Sequence, residues 1–208
     1  MTTSTRTFEL DARVRSAIEV DDFKAAAEHI LNALGADLVR VIHARFRQEQ
    51  LTAEVFSRVT EDLWVGLPRF AFRCSVRAWL FTLARNAGNR YLDRELRRHR
   101  AQVPLSQIPE LVDAMARAHT QSLTGVPSDA SEWLSSLRGE LSEDDQLLLT
   151  LRVDRALDFR EIAIVMLGDV DAERASVVRE AARQRKRFQA LKERLRERWQ
   201  ARVSKPRS

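Results

Sequence analysis

Apolar residues recur at three- and four-residue intervals through most of this chain, and that spacing restricts the possible folds more than any other feature. Phe23, Ala27, Ile30, Leu31, Leu34, Leu38, Val41, Ile42 and Phe46 keep the interval across residues 21–48, with Gly35 interrupting it. A period of this kind gathers the apolar side chains on one face of a helix. "TAEVFSRVTEDLWVGL" continues the pattern. Thr52 reads as its N-cap, its inner face carries Val55, Phe56, Val59, Leu63 and Trp64, and Pro68 stops it. "SVRAWLFTLARNAGNRYLDRELRRHR", residues 75–100, begins in the same way with Val76, Leu80, Leu83 and Ala87 on one side. Only 6 Gly and 5 Pro punctuate 208 residues. The expected fold class is therefore all-α.

The pattern fades over residues 103–128, where most of the prolines stand among Ser, Thr and Gln, as in a linker. It resumes in a second helical unit, 129–203. There "SEDDQLLLTLRV" opens on Ser142 as N-cap with acids in its first turn, and "DFREIAIVML" lies between Asp158 and Gly168. A long basic helix follows. A short helix, a turn and a longer basic helix is the helix-turn-helix order. Two helical domains are expected, 21–102 and 129–203, with a polar mobile leader at 1–20 and a tail at 204–208.

Charge divides the chain further. The net charge is +5, yet residues 66–102 hold nine arginines against two acids, and residues 171–208 hold thirteen Lys/Arg against five acids. The remainder is acidic. Two separate basic blocks point to a polyanion touched twice. In the first block the arginines stand among Phe70, Phe72, Trp79, Phe81 and Tyr91, and with Asn86 and Asn89. Arginine neutralises phosphate, a loop aromatic such as Phe70 stacks on an unpaired base, and a side-chain amide reads a base edge. Core packing is the competing role for each aromatic, and it is favoured for Trp79 and Phe81.

Other function classes find little support. No apolar run approaches a membrane span, and the start has no apolar stretch of signal-peptide type. The single cysteine, Cys74, has no partner for a disulfide, and no Cys/His spacing suits zinc. A cytoplasmic protein without cofactor or metal is expected. His29, His43, His99 and His119 lie far apart without a nucleophile in a recognisable frame, and Asp144 and Asp145 suit a first helical turn better than acid–base chemistry. No enzymatic activity is expected.

These residues resemble the extracytoplasmic-function sigma factors of bacterial RNA polymerase. "AEVFSRVTEDLWVGLPRF" is similar to that family's polymerase-binding helix. "SVRAWLFTLARNAGNRYLDRE" is similar to its SFRAWLYRIARN segment, the most specific match. "LSEDDQLLLTLRVDRALDFREIA" and "RQRKRFQALKERL" resemble its second half. The resemblance implies a region-2 domain over 21–102 that binds the polymerase clamp and opens the −10 element, and a region-4 helix-turn-helix domain over 129–203 on the −35 duplex. It places Phe70, Arg77, Asn86, Asn89, Arg90 and Arg94 on the −10 DNA. It places Ser176, Arg179, Arg183, Lys186 and Arg187 on the −35 groove. Glu54, Val55, Phe56, Arg58, Val59 and Asp62 would bind polymerase. The implied partners are core RNA polymerase through the clamp region of its beta-prime subunit, promoter DNA, and a regulator, either an anti-sigma protein or a Ser/Thr kinase.

Three places depart from the family pattern. The pocket loop reads "FAFRCSV", with Arg73 where an acid is usual. The turn "LGDVDAERAS" is about four residues longer than usual. The acidic motif of the polymerase-binding helix is reduced to "TAEV", followed by Ser57 and Arg58. Thr52, standing where the first Asp would be, is a candidate phosphorylation switch that would return negative charge there. Two other readings of the chain remain: a stand-alone helix-turn-helix regulator that binds DNA without polymerase, and a helical scaffold for an acidic partner.

Overall fold

The computed structural model describes residues 3–102 and 141–203. The linker 103–128, the first part of the second unit (129–140) and the tail 204–208 lie outside the described residues. The described residues are helical, with no strand among them. The four helices of the first half are α1 (Thr3–Glu19), α2 (Phe23–Phe46), α3 (Glu49–Gly66) and α4 (Val76–Gln102), with a 3-10 turn, Leu67–Arg69, after α3. The second half has α5 (Glu143–Leu149), a π-turn Thr150–Asp154, α6 (Phe159–Leu167) and α7 (Arg174–Val203).

The core of the first half follows the periodicity. Ile30, Leu34, Leu38, Ile42 and Phe46 of α2 meet Val55, Val59 and Leu63 of α3 and Val76, Leu80, Ala84 and Ala87 of α4 in one buried cluster. Gly88 lets α2 and α4 approach closely, since a Cβ there would lie 2.8 Å from the Arg45 guanidinium and 3.1 Å from the Phe46 ring. The stretch read as a mobile leader is mostly helix. Leu10, Val14 and Ala17 join the same cluster from α1, and the Asp11 carboxylate accepts the Val76 N–H at 3.0 Å.

Two assignments on α3 are corrected. The helix starts at Glu49 after Gln48, which makes no side-chain cap, so Thr52 is not an N-cap. It is buried, and its hydroxyl donates to the Gln48 carbonyl at 2.7 Å and lies 3.3 Å from His43 Nδ1. Trp64, expected inside, is 54% exposed, because the inner face of α3 is already filled by Val55, Val59 and Leu63.

The second half holds its own apolar clusters. Leu148, Leu151, Leu157, Ile162, Val165 and Met166 form the largest, which also takes in Val41 and Phe81 of the first half; Leu141, Leu149 and Leu191 form a second, and Ala163, Ile164 and Val177 a third. The expected caps are in place. Ser142 accepts the Asp145 N–H, Asp158 and Glu161 form a reciprocal capping box, and Gly168 ends α6 in the left-handed region at φ 71°.

Candidate nucleic-acid interface

α6 and α7 follow one another as a short helix, a turn and a longer helix, the order expected from the sequence. Val177 on the first turns of α7 packs with Ala163 and Ile164 of α6, and Val170 and Ala172 of the long turn close over them. This contact fixes the inner side of α7, so its opposite side faces solvent. Val178, Arg179, Arg183, Arg185 and Lys186 are exposed there. Arg179 donates to the Ser176 hydroxyl at 3.1 Å, and Arg183 pairs with Glu180 at 3.6 Å. Ser176, Arg179, Arg183 and Lys186 thus share an accessible, cationic helical surface of the kind that enters a groove.

Arg187 does not belong to that surface. Its guanidinium reaches back to α5, donating to Asp145 at 2.6 Å and to the Ser142 hydroxyl at 3.1 Å, with Asp144 at 3.5 Å. Arg194 also reaches Asp145, at 3.2 Å. Burial alone would push the Asp145 carboxyl up, but the Arg187 hydrogen bond and charge, with Ser142 and Arg194, outweigh it and hold the group below the usual carboxylate range. Burial likewise disfavours the charged Arg187, and the paired Asp145 and Asp144 more than compensate, raising its pKa.

The described arginines of the first basic block are scattered rather than continuous. Arg90 is bonded to Asp62, and Arg94 is exposed one turn further along α4. With Arg58, Ser57 and Tyr91 these arginines line a groove of about 260 Å³ between α3 and α4. Asn89 accepts from Arg45 at 2.7 Å, and Asn86 donates to the Gly168 carbonyl of the second half at 2.8 Å. Phe70 is buried, stacked on Trp79 with ring centroids 4.2 Å apart, so it is core rather than a free stacking platform. Phe72, held at φ 53°, packs beside it under the Arg15 guanidinium. Arg77 is also buried. It donates to the Arg155 carbonyl while its Nε has no partner, and desolvation lowers its pKa despite the nearby Glu161 and Asp37. Neither Phe70 nor Arg77 can reach DNA in this arrangement.

The polymerase-binding candidates also divide. Val55 and Val59 are core residues and Phe56 packs against them, which removes the two valines from any contact surface. Glu54 and Arg58 are exposed, and Asp62 is held between Arg58 and Arg90. Trp64 and Val65 stand on the outside of α3, at 54% and 68% exposure, and form its apolar outer patch. Periodicity does not distinguish them from core residues, since they directly follow Leu63.

Among the described residues no cluster of three His, Cys, Asp or Glu side chains could hold a metal, and no helix is long and apolar enough to cross a membrane. Burial, with Asp11, Glu161 and Asp171 nearby, pushes the Cys74 thiol up to about 12, so it is a poor nucleophile at neutral pH. Compared with known proteins, the chain matches no protein-family model and no curated protein.

Proposed function

We propose that the chain is a sigma factor that directs core RNA polymerase to promoters and performs no chemistry of its own. The observation that carries the reading is the pairing of two units. The capped α6 and the α7 that follows it are in helix-turn-helix order and offer Arg179, Arg183 and Lys186 on an open face with Ser176 at its edge, and a four-helix unit carries exposed Arg90 and Arg94 and an exposed Trp64–Val65 patch. One unit suits a duplex and the other suits melted DNA and a protein partner. Exposed aromatic and apolar residues with flanking charge are what a protein contact uses.

The stand-alone regulator shares the helix-turn-helix but gives no use to the α3 patch. A pull-down separates the two. Core polymerase should retain the wild-type chain, and Trp64→Ala with Val65→Ser should weaken retention about tenfold or more, as for an interface hot spot. Tight, sequence-specific duplex binding by the chain alone, with no retention by core polymerase, would favour the regulator. A switch at Thr52 needs the turn 48–52 to open first, since its hydroxyl is buried and bonded to Gln48.

A further inference from the structure

The two halves meet through a seam that is polar for most of its length. Among the described residues, Val41 and Phe81 of the first half are buried within the main apolar cluster of the second, and Val170 and Cys74 make the return contacts. Arg45 reaches Glu143 at 3.0 Å, Arg85 reaches Asp144 at 3.5 Å, Arg155 reaches Asp37 at 3.1 Å, and Arg73 reaches Asp171 at 3.2 Å. Arg47 donates to Gln146 at 3.3 Å, Ser75 to Glu161 at 2.5 Å, and Asn86 to Gly168. Apolar packing flanked by these hydrogen bonds and ion pairs is more polar than the core of the first half, as an interface between domains is.

The chemistry of that seam is specific. Asp144 is held at 3.5 Å by Arg85 from the first basic block and at 3.5 Å by Arg187 from the second. One carboxylate thus engages both blocks at once. Next to it, Glu143 takes Arg45, whose other donors hold Asn89 and the Arg85 carbonyl. The acids of α5 therefore occupy guanidinium groups of the kind that phosphates would use, and one of these, Arg45, holds the Asn89 amide in turn. Arg73 and Asp171 extend the seam, and they stand in the altered loop and the lengthened turn respectively.

We propose that Glu143 and Asp144 are a built-in competitor for the nucleic-acid backbone, latching the two halves together until DNA displaces them. The proposal rests on the nucleic-acid reading above and adds its regulation. A phosphate chain offers many charges to Arg45, Arg85 and Arg187 at once, whereas each exposed carboxylate pair contributes little alone. DNA binding and separation of the halves are therefore one linked equilibrium, and weakening the latch raises apparent DNA affinity.

The test uses the full chain with dyes on Ser16→Cys and Gln189→Cys, both exposed and on opposite halves. Energy transfer between them is followed while a mixed-sequence duplex is added, and DNA binding is read by anisotropy in the same samples. Cys74, with its thiol pushed up to about 12 by burial, labels slowly at neutral pH. Transfer should fall as the duplex binds. Glu143→Gln with Asp144→Asn should bring the midpoint to about three- to tenfold less duplex. Glu9→Gln with Glu19→Gln changes net charge equally, away from the seam, and should move it distinctly less. Equal midpoints for the two double variants, or duplex bound with no change in transfer, would overturn the latch. Opening as described, without promoter transcripts from added core polymerase, would instead sink the sigma reading and leave the latch supported.

Discussion

Asp145 shows how much a single side chain carries in this molecule. It accepts from Arg187 and Arg194 and lies beside Ser142, and only 13% of its side chain is exposed. Its folded-state pKa lies below the ordinary value of about 3.9 for an unfolded aspartate. The stabilisation is therefore present above that value and is lost as pH falls through the folded pKa. Asp145→Asn should cost about 1–3 kcal/mol at pH 7, read from the urea midpoint. The gap between the two proteins should close towards pH 3 and below. A gap that stays constant with pH would show that the carboxylate charge contributes nothing. Thr52 gives the opposite lesson at this scale. A hydroxyl that looked like a cap is a buried donor to Gln48, because the N-cap of α3 lies four residues earlier, at Gln48, which makes no side-chain cap.

At the scale of elements, α6 and its exit were the most legible. Asp158, Glu161 and Gly168 have dedicated geometry, and each appears where its chemistry requires. The apolar faces of α2 and α4 were legible for the same reason, since periodicity alone decides which side is buried. α1 was not, because among its described side chains the buried ones, Leu10, Val14 and Ala17, stand on a mostly polar helix. The outer residues of α3 were not either, as Trp64 and Val65 adjoin true core positions. Gly168 joins the two kinds of information. At φ 71° a side chain is strained, and a Cβ would also lie 2.6 Å from Asn86 Oδ1 across the seam. Gly168→Ala should cost about 1–2 kcal/mol from the backbone alone, with a further steric loss. Adding Asn86→Ala should recover the steric part only, so the double variant should lose less stability than the two single changes together. Strict additivity in urea titrations would mean that α4 and the α6 exit do not press on each other.

For the whole molecule, charge pattern and contact pattern give different information. Two basic blocks were visible in the sequence. That the acids of α5 lie against both of them was not, because it depends on a packing between halves that no local pattern encodes. The site residues divide accordingly. Arg179, Arg183, Lys186 and Arg94 are on the surface, Arg187 and Asn86 are engaged internally, and Phe70 and Arg77 are inside. Exposed cations on α7, together with internally held side chains on α4, suit the proposal that the DNA contacts form only after rearrangement. The proposed sigma activity is tested by mixing the purified chain with core RNA polymerase on a library of promoter-length DNA fragments and sequencing the 5′ ends of the transcripts. Initiation is expected at a restricted set of fragments sharing two spaced elements, increased by Glu143→Gln with Asp144→Asn and reduced by Arg183→Ala with Lys186→Ala. Initiation no different from core enzyme alone, for both the wild-type chain and the latch variant, would contradict it.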